Sequence, residues 1–311
     1  MSSPRSQPSY TSTPAGAIRR EPLWLYMMLA PLFWAGNSVL GRAVVGDGAV
    51  PPIGLAFWRW VLGALVLLPL AWPHLRRDWR ALAARPWDML VLSGLGIAAF
   101  NTLLYLGLQT TTALNGVMIQ SAIPVMVAGL GVAVFGDRIR AAQWVGIGIS
   151  LAGAAVLIGR GDVQTFSRLA FNAGDLYVLA AAVAYAGYTL MLRRRPDAHP
   201  LSFVFATFVI GATMLLPFYL AETFGGRPMP LSGAALGAVG YAAVCASVLA
   251  YLCFNRAVAL AGSSVAGLCI HLVPVFGSLL AIGLLGERAQ LYHAVGIGLI
   301  AVGIVLASRR A

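Results

Sequence analysis

Two short stripes of polar and aromatic residues interrupt the otherwise apolar stretches of this chain, and their spacing is helical. Asn101, Tyr105 and Gln109 fall at i, i+4 and i+8, and Ser247, Tyr251 and Asn255 repeat the same interval further on. Residues four apart share a helix face, so each set lines one side of a helix. Amides and phenols gathered in this way can hydrogen-bond a polar solute and offer π faces to an apolar one; bonding between helices is the plainer use of the same groups. An offset of 150 residues superposes Asn101 on Tyr251 and Tyr105 on Asn255, so the two chemistries recur with their positions exchanged.

A second correspondence, at an offset of 151, sets Trp34-Ala35-Gly36 against Tyr185-Ala186-Gly187 and Arg42 against Arg193. Asn37, Ser38, Tyr188 and Thr189 follow on neighbouring faces. Trp34 and Tyr185 lie near the middle of their apolar runs, away from the ends where Trp and Tyr collect in membrane proteins. Each needs a partner for its polar atom, which a hydrated cavity or a packed helix supplies.

Gln120 and Ser121 stand beside Pro124, and Cys269 and His271 beside Pro274. Each proline removes a helical hydrogen bond, bends its helix and frees a carbonyl that can line a cavity, which marks Pro124 and Pro274 as candidate hinges. Three roles are open to His271: proton carrier, hydrogen-bonding group for a solute, or packed neutral ring. The candidate binding set is therefore Trp34, Asn37, Asn101, Tyr105, Gln120, Ser121, Tyr185, Tyr188, Ser247, Tyr251 and His271.

Arg59, between Trp58 and Trp60, lies two turns inside the outer end of its apolar run. A charge left in lipid at the centre of a span costs about 2.5 to 3.5 kcal/mol on insertion scales, so Arg59 must reach the surface or find a partner in the bundle. Anchoring is favoured over binding a carboxylate. All ten acidic residues fall outside the middles of the apolar runs, so the buried carboxylate of a proton or cation antiporter is missing. Cys245, Cys253 and Cys269 lie in apolar stretches without ligand spacing and read as buried thiols, with no metal or disulfide. Ser121 or Ser150 with His271 would be the raw material of an intramembrane hydrolase. No GxSxG accompanies them, so no catalytic residue and no cofactor is assigned.

The elements that carry these residues must be membrane helices. With 59% hydrophobic and only 10% charged residues, the chain cannot present a solvated surface. Its net charge of +11 is all arginine, scattered through short loops rather than gathered on a face, which excludes nucleic acid as a partner. A bilayer core requires about 20 apolar residues per helix. Ten runs satisfy it: 23–45, 53–72, 87–108, 113–135 and 141–159, then 174–192, 201–221, 235–256, 264–285 and 290–307. Residues 1–22 form a Ser-, Pro- and Thr-rich cytoplasmic tail with no apolar periodicity, and 160–173 form a polar linker. Arg19 and Arg20 precede a run too long for a signal-peptide core, so that first helix should be retained.

Residues 124–153 and 274–303 share ten of thirty positions without a gap, including GDR or GER turns and GIG triplets. Two five-helix units, 23–159 and 174–308, follow. An odd number of spans per unit forces the second to enter the membrane inverted, an arrangement that places a solute site between the repeats. Placing both termini in the cytoplasm puts fifteen arginines inside and five outside, as the positive-inside rule requires. Gly146 and Gly153, with Gly296 and Gly303, lie seven apart on one face of the last helix of each unit and suit close packing.

The arginine within AFWRWVLGALVLLPLA and the proline-to-GER-to-GIG segment closing each half resemble the EamA repeats of the drug/metabolite transporter superfamily. Nearly the whole chain after residue 22 takes part in the resemblance. Within the superfamily it looks most like the YddG-type exporters of aromatic and other amino acids. The resemblance implies an all-α basket of ten transmembrane helices around a central cavity, framed by the first, third, fourth, sixth, eighth and ninth helices, with the fifth and tenth outside. It implies export of amino acids through the inner membrane by alternating access, with the substrate and the lipid bilayer as partners; the missing buried carboxylate points to facilitated rather than proton-driven transport. Broad export of uncharged or aromatic compounds is the alternative. A sugar-phosphate carrier is disfavoured, because Arg59 is the only arginine set well inside a span rather than at its end.

Overall fold

The computed structural model describes residues 22–45, 48–162, 164–167, 172–285 and 288–308. The N-terminal tail, Asp47, Glu287 and the side chains of Ser38 and Arg42 lie outside the described residues. The first unit consists of α1 (Leu23–Val45), α2 (Pro52–Ala83), α3 (Pro86–Thr110), α4 (Ala113–Ser121), α5 (Ile123–Phe135) and α6 (Ala141–Ile158). After a short linker helix, α7 (Gln164–Ser167), the second consists of α8 (Ala173–Met191), α9 (Pro200–Phe224), α10 (Gly233–Ala261), α11 (Ser263–Gly267), α12 (Leu272–Leu285) and α13 (Leu291–Ser308). Nine stretches of the described residues are long and apolar enough to cross a bilayer, and the 23-residue α1 adds a further apolar helix of that length.

Local chemistry sets the ends. Pro52, Pro86 and Pro200 occupy first helical positions, where a missing N–H costs nothing. Free N–H groups find side-chain acceptors: Glu222 Oε2 takes Gly54 N–H at 2.7 Å, and Thr112 Oγ1 takes Asn115 N–H at 3.1 Å. Asn172 and Asp175 form a reciprocal capping box at the start of α8. Gly136, at φ 67°, ends α5 in the left-handed conformation that favours glycine.

Two departures from the simple ten-run reading bear on function. The fourth and ninth runs are broken: α4 and α5 meet at Ala122, two residues before Pro124, and a 3₁₀ turn over Leu268–His271 separates α11 from α12 just before Pro274. The prolines thus sit at the restart of a helix rather than in its interior, where each missing N–H is tolerated. In addition, α3 and α10 each contain one π-helical turn, Gly94–Ala99 and Val244–Leu249, set 150 residues apart. Such turns break the i to i+4 ladder and occur most often at functional sites. The second helix also continues past residue 72 to Ala83, carrying its arginines with it.

The two terminal helices of the units, α6 and α13, pack backbone to backbone. A Cβ on Gly146 would lie 2.6 Å from Gly303 O, and one on Gly153 would lie 2.7 Å from Gly296 O. Rising positions on one helix meet falling positions on the other, so equivalent helices of the two units run antiparallel and exchange equivalent contacts. Elsewhere α1 packs on α10 and α12, α2 on α9 and α10, and α3 on α8, which brings the two units together along one shared core.

Candidate functional site

The interior between the units holds a cluster of aromatic rings. Trp34 of α1 meets Tyr185 of α8 edge-on at 5.7 Å and Tyr251 of α10 edge-on at 6.3 Å between centroids. Tyr185 lies 5.7 Å from Tyr188, and Tyr188 lies 5.8 Å from Tyr251. Phe100, Phe254 and Trp60 complete the cluster. The three tyrosines are fully enclosed, whereas Trp34 is half-buried. Edge-to-face geometry of this kind contributes about 0.5 to 1.5 kcal/mol per pair beyond burial. The Tyr185 hydroxyl and the Trp60 Nε1 lie buried there without a hydrogen-bond partner, donors of a kind that folded proteins rarely leave unused.

Both π turns face this cluster. The Tyr251 hydroxyl donates to the carbonyl of Gly96, inside the first π turn, at 2.5 Å. Trp34 Nε1 donates to the carbonyl of Ala246, inside the second, at 3.2 Å. Gly96 and Ala246 are 150 residues apart, so each unit caps a carbonyl in the π turn of the other with an aromatic donor. Glycine at 96 is required by space, because a Cβ there would collide with the ring of Tyr188.

Next to the rings, the two units share a tyrosine–asparagine bond with the roles reversed. Tyr105 of α3 donates to Asn37 Oδ1 of α1 at 3.1 Å, and Tyr188 of α8 donates to Asn255 Oδ1 of α10 at 2.8 Å. The exchanged positions visible in the sequence stripes are thus one conserved hydrogen bond viewed from opposite helices.

Arg59 reaches into the same region from α2 and is 1% exposed. Its Nε donates to Ser247 Oγ at 2.9 Å, and its Nη1 donates to Asn101 Oδ1 and to Tyr105 Oη, each at 2.7 Å. The guanidinium carbon lies 4.6 Å from the centroid of Trp60. Every one of these partners is neutral, and among the described residues no carboxylate bonds to it. A buried cation without a counter-charge retains a desolvation penalty of several kcal/mol, which cation–π contact offsets only in part. Of the two fates open to Arg59 in the sequence, the partner in the bundle is the one realised. Its position between two tryptophans deep in an apolar run was the signal; its link to Ser247 crosses between the units and has no sequence mark.

The remaining candidates form a separate group. His271, fully enclosed, contacts Ser150 Oγ of α6 through Nδ1 at 2.6 Å and the Ser121 carbonyl through Nε2 at 2.8 Å. With Nε2 protonated and donating to that carbonyl, Nδ1 accepts from the serine, an arrangement that suits the neutral ring. Ser121 Oγ and Gln120 Nε2 donate back to carbonyls of α4, those of Val117 and Gly116. Ser150 was legible as a polar residue in the fifth run, but its pairing with His271 was not. The outer helix α6 is therefore tied to the broken helix of the other unit.

At one end of the bundle Arg193 grips Asp137 through two bonds, of 3.0 and 2.8 Å, and donates to Ser263 Oγ at 3.1 Å while its guanidinium covers the ring of Phe135 at 4.2 Å. These contacts tie together the ends of α5, α8 and α11.

The chain matches the EamA-like transporter family twice, over residues 23–159 and 172–309. It is 29% identical to the uncharacterized transporter YyaM of Bacillus subtilis strain 168, over 91% of this chain and 93% of that protein. It is 27% identical to the inner membrane protein YtfF of Escherichia coli K12, over 92% of this chain and 94% of that protein. A solved crystal structure superposes with a TM-score of 0.74 at 20% identity, covering 92% of this chain and 96% of the other, which is a likeness of fold.

Proposed function

Because the chain belongs to the EamA-like transporter family, and is thus a multi-pass transporter of the inner membrane, we propose that it exports amino acids, aromatic ones among them, from the cytoplasm. Two five-helix repeats, inserted in opposite orientations with both termini cytoplasmic, rock about the aromatic cluster in alternating access. The antiparallel meeting of α6 and α13 supports the inversion.

The observation that carries the substrate reading is the cluster itself. Trp34, Tyr185, Tyr188 and Tyr251 stand beside the amides of Asn37, Asn101 and Asn255, so one region of the interior joins an apolar, aromatic wall to a hydrogen-bonding one. An amino acid with a large side chain needs both walls. The rings pack on one another in the arrangement described, and in the proposed cycle opening parts the Tyr251–Gly96 and Trp34–Ala246 bonds and admits substrate. Export proceeds down the substrate's own gradient, because the described acidic side chains lie near helix ends or in loops and His271 is committed to Ser150 and Ser121.

Cells preloaded with an aromatic dipeptide test the reading through the rate at which the released amino acid leaves. Expression of the wild-type chain should speed that efflux, and Trp34→Ala and Tyr185→Ala should slow it more for aromatic than for small amino acids. Efflux of uncharged aromatic compounds with no effect on amino acids would replace this reading with broad-specificity export.

A further inference from the structure

We propose that Arg59 is the anchor for a substrate carboxylate, so that the transported species is an organic acid held by its anionic end. The inference rests on the exporter reading for the location of the site and adds the chemistry by which that site selects its cargo. A guanidinium has five N–H donors. Three of its bonds are made, all from Nε and Nη1 to neutral oxygens, and Nη2 bonds to none of the described residues. The charge is thus enclosed, partly unsatisfied and set where the two units meet, next to the unpartnered Trp60 Nε1.

A carboxylate is the ligand that satisfies this geometry, since it accepts two parallel N–H bonds from a guanidinium and supplies the missing counter-charge. Two of the three present partners are replaceable. Ser247 keeps a second bond to the Ala242 carbonyl at 2.7 Å, and Tyr105 keeps its bond to Asn37, so neither is orphaned when Arg59 turns to a substrate. The link to Ser247 also spans the two units, which means that an arriving carboxylate competes for one of the bonds that hold them together. Binding and release of the closed state are thereby one event. The substrate's remaining bulk faces the rings of Trp34, Tyr185 and Tyr251, where an ammonium group would be received by π faces in the absence of an acid.

Ligand-induced thermal stabilisation of the purified full-length protein tests the proposal, with 3-phenylpropionate, its amide, L-phenylalanine and L-phenylalaninamide as probes. The acids should stabilise at concentrations about tenfold or more below the amides, the factor expected when a charged hydrogen bond is lost. In Arg59→Gln that preference should disappear; Arg59→Lys, which keeps the charge without the planar fork, should retain a reduced one and serves if the glutamine variant fails to fold. Equal stabilisation by acid and amide, stabilisation by neither, or a preference unchanged in the variant that folds would overturn it. Stabilisation by 3-phenylpropionate without any by L-phenylalanine would leave the carboxylate site standing and remove the amino-acid reading.

Discussion

The Tyr251 hydroxyl donates to the carbonyl of Gly96 at 2.5 Å, so a residue of the second unit holds the π turn of the first. Its counterpart, Trp34 to Ala246, does the reverse. Each π turn leaves a carbonyl outside the regular ladder, and a buried carbonyl without a donor is costly. The two bonds therefore help to hold the two units together in the arrangement described.

Tyr251→Phe removes one of them with little change in shape. It should destabilise the protein by about 1 to 3 kcal/mol, the cost of leaving a buried acceptor unsatisfied, measured by reversible unfolding in mixed detergent. An unchanged unfolding free energy would mean that Gly96 finds another donor.

The antiparallel contact of α6 and α13 admits no side chain at Gly153, where backbone atoms of Gly296 and Ile300 stand closest. Gly148, one turn away, faces open space. Gly153→Leu should cost about 1 to 3 kcal/mol or more through overpacking, while Gly148→Leu should leave stability within about 0.5 kcal/mol. Equal effects of the two substitutions would contradict the packing.

His199 stacks on His74 at 3.6 Å, with its backbone N–H donating to Asp78 Oδ2 at 2.9 Å. Burial holds its pKa below the ordinary 6.5, with His74 adding to the fall and Asp78 opposing it. A depressed folded value means that the unfolded chain binds the proton first, so this contribution to stability is present above pH 6.5 and is lost as pH falls through the folded value. Hydrogen exchange in the first turn of α9 should therefore accelerate between pH 7 and pH 5 after correction for intrinsic rates. His199→Gln should flatten that dependence.

Orientation is open to a chemical test. A single cysteine at Gly225, between α9 and α10, should react with an impermeant thiol reagent added to intact cells, and one at Arg77, on the extension of α2, should react only after permeabilisation. The opposite pattern would invert the topology drawn from the arginines.

Much of the architecture was legible because membrane helices are marked by composition and repeats by self-similarity. The stripes Asn101–Tyr105 and Tyr251–Asn255 were visible at helical spacing, and their exchange between halves foreshadowed the paired bonds to Asn37 and Tyr188. What escaped was geometry without a residue signature. GLGIAA and VCASVL carry nothing that separates a π turn from an α turn, and the bond from Arg59 to Ser247 depends on how two units pack. Gln120, Ser121 and His271 looked equivalent to the stripe residues because polarity in an apolar run reads alike whether it faces a solute or another helix. His271 instead bridges Ser150 and the Ser121 carbonyl.

The proposed function is facilitated transport of amino acids between the two units. Flux of labelled L-phenylalanine across liposomes containing the purified protein, with and without an imposed pH difference, tests it most directly. Facilitated transport gives net movement down the phenylalanine gradient at zero pH difference, no accumulation beyond equilibrium when a pH gradient is applied, and the same behaviour in His271→Gln. Uptake concentrated by a pH gradient and abolished in that variant would make His271 a proton carrier and contradict the account.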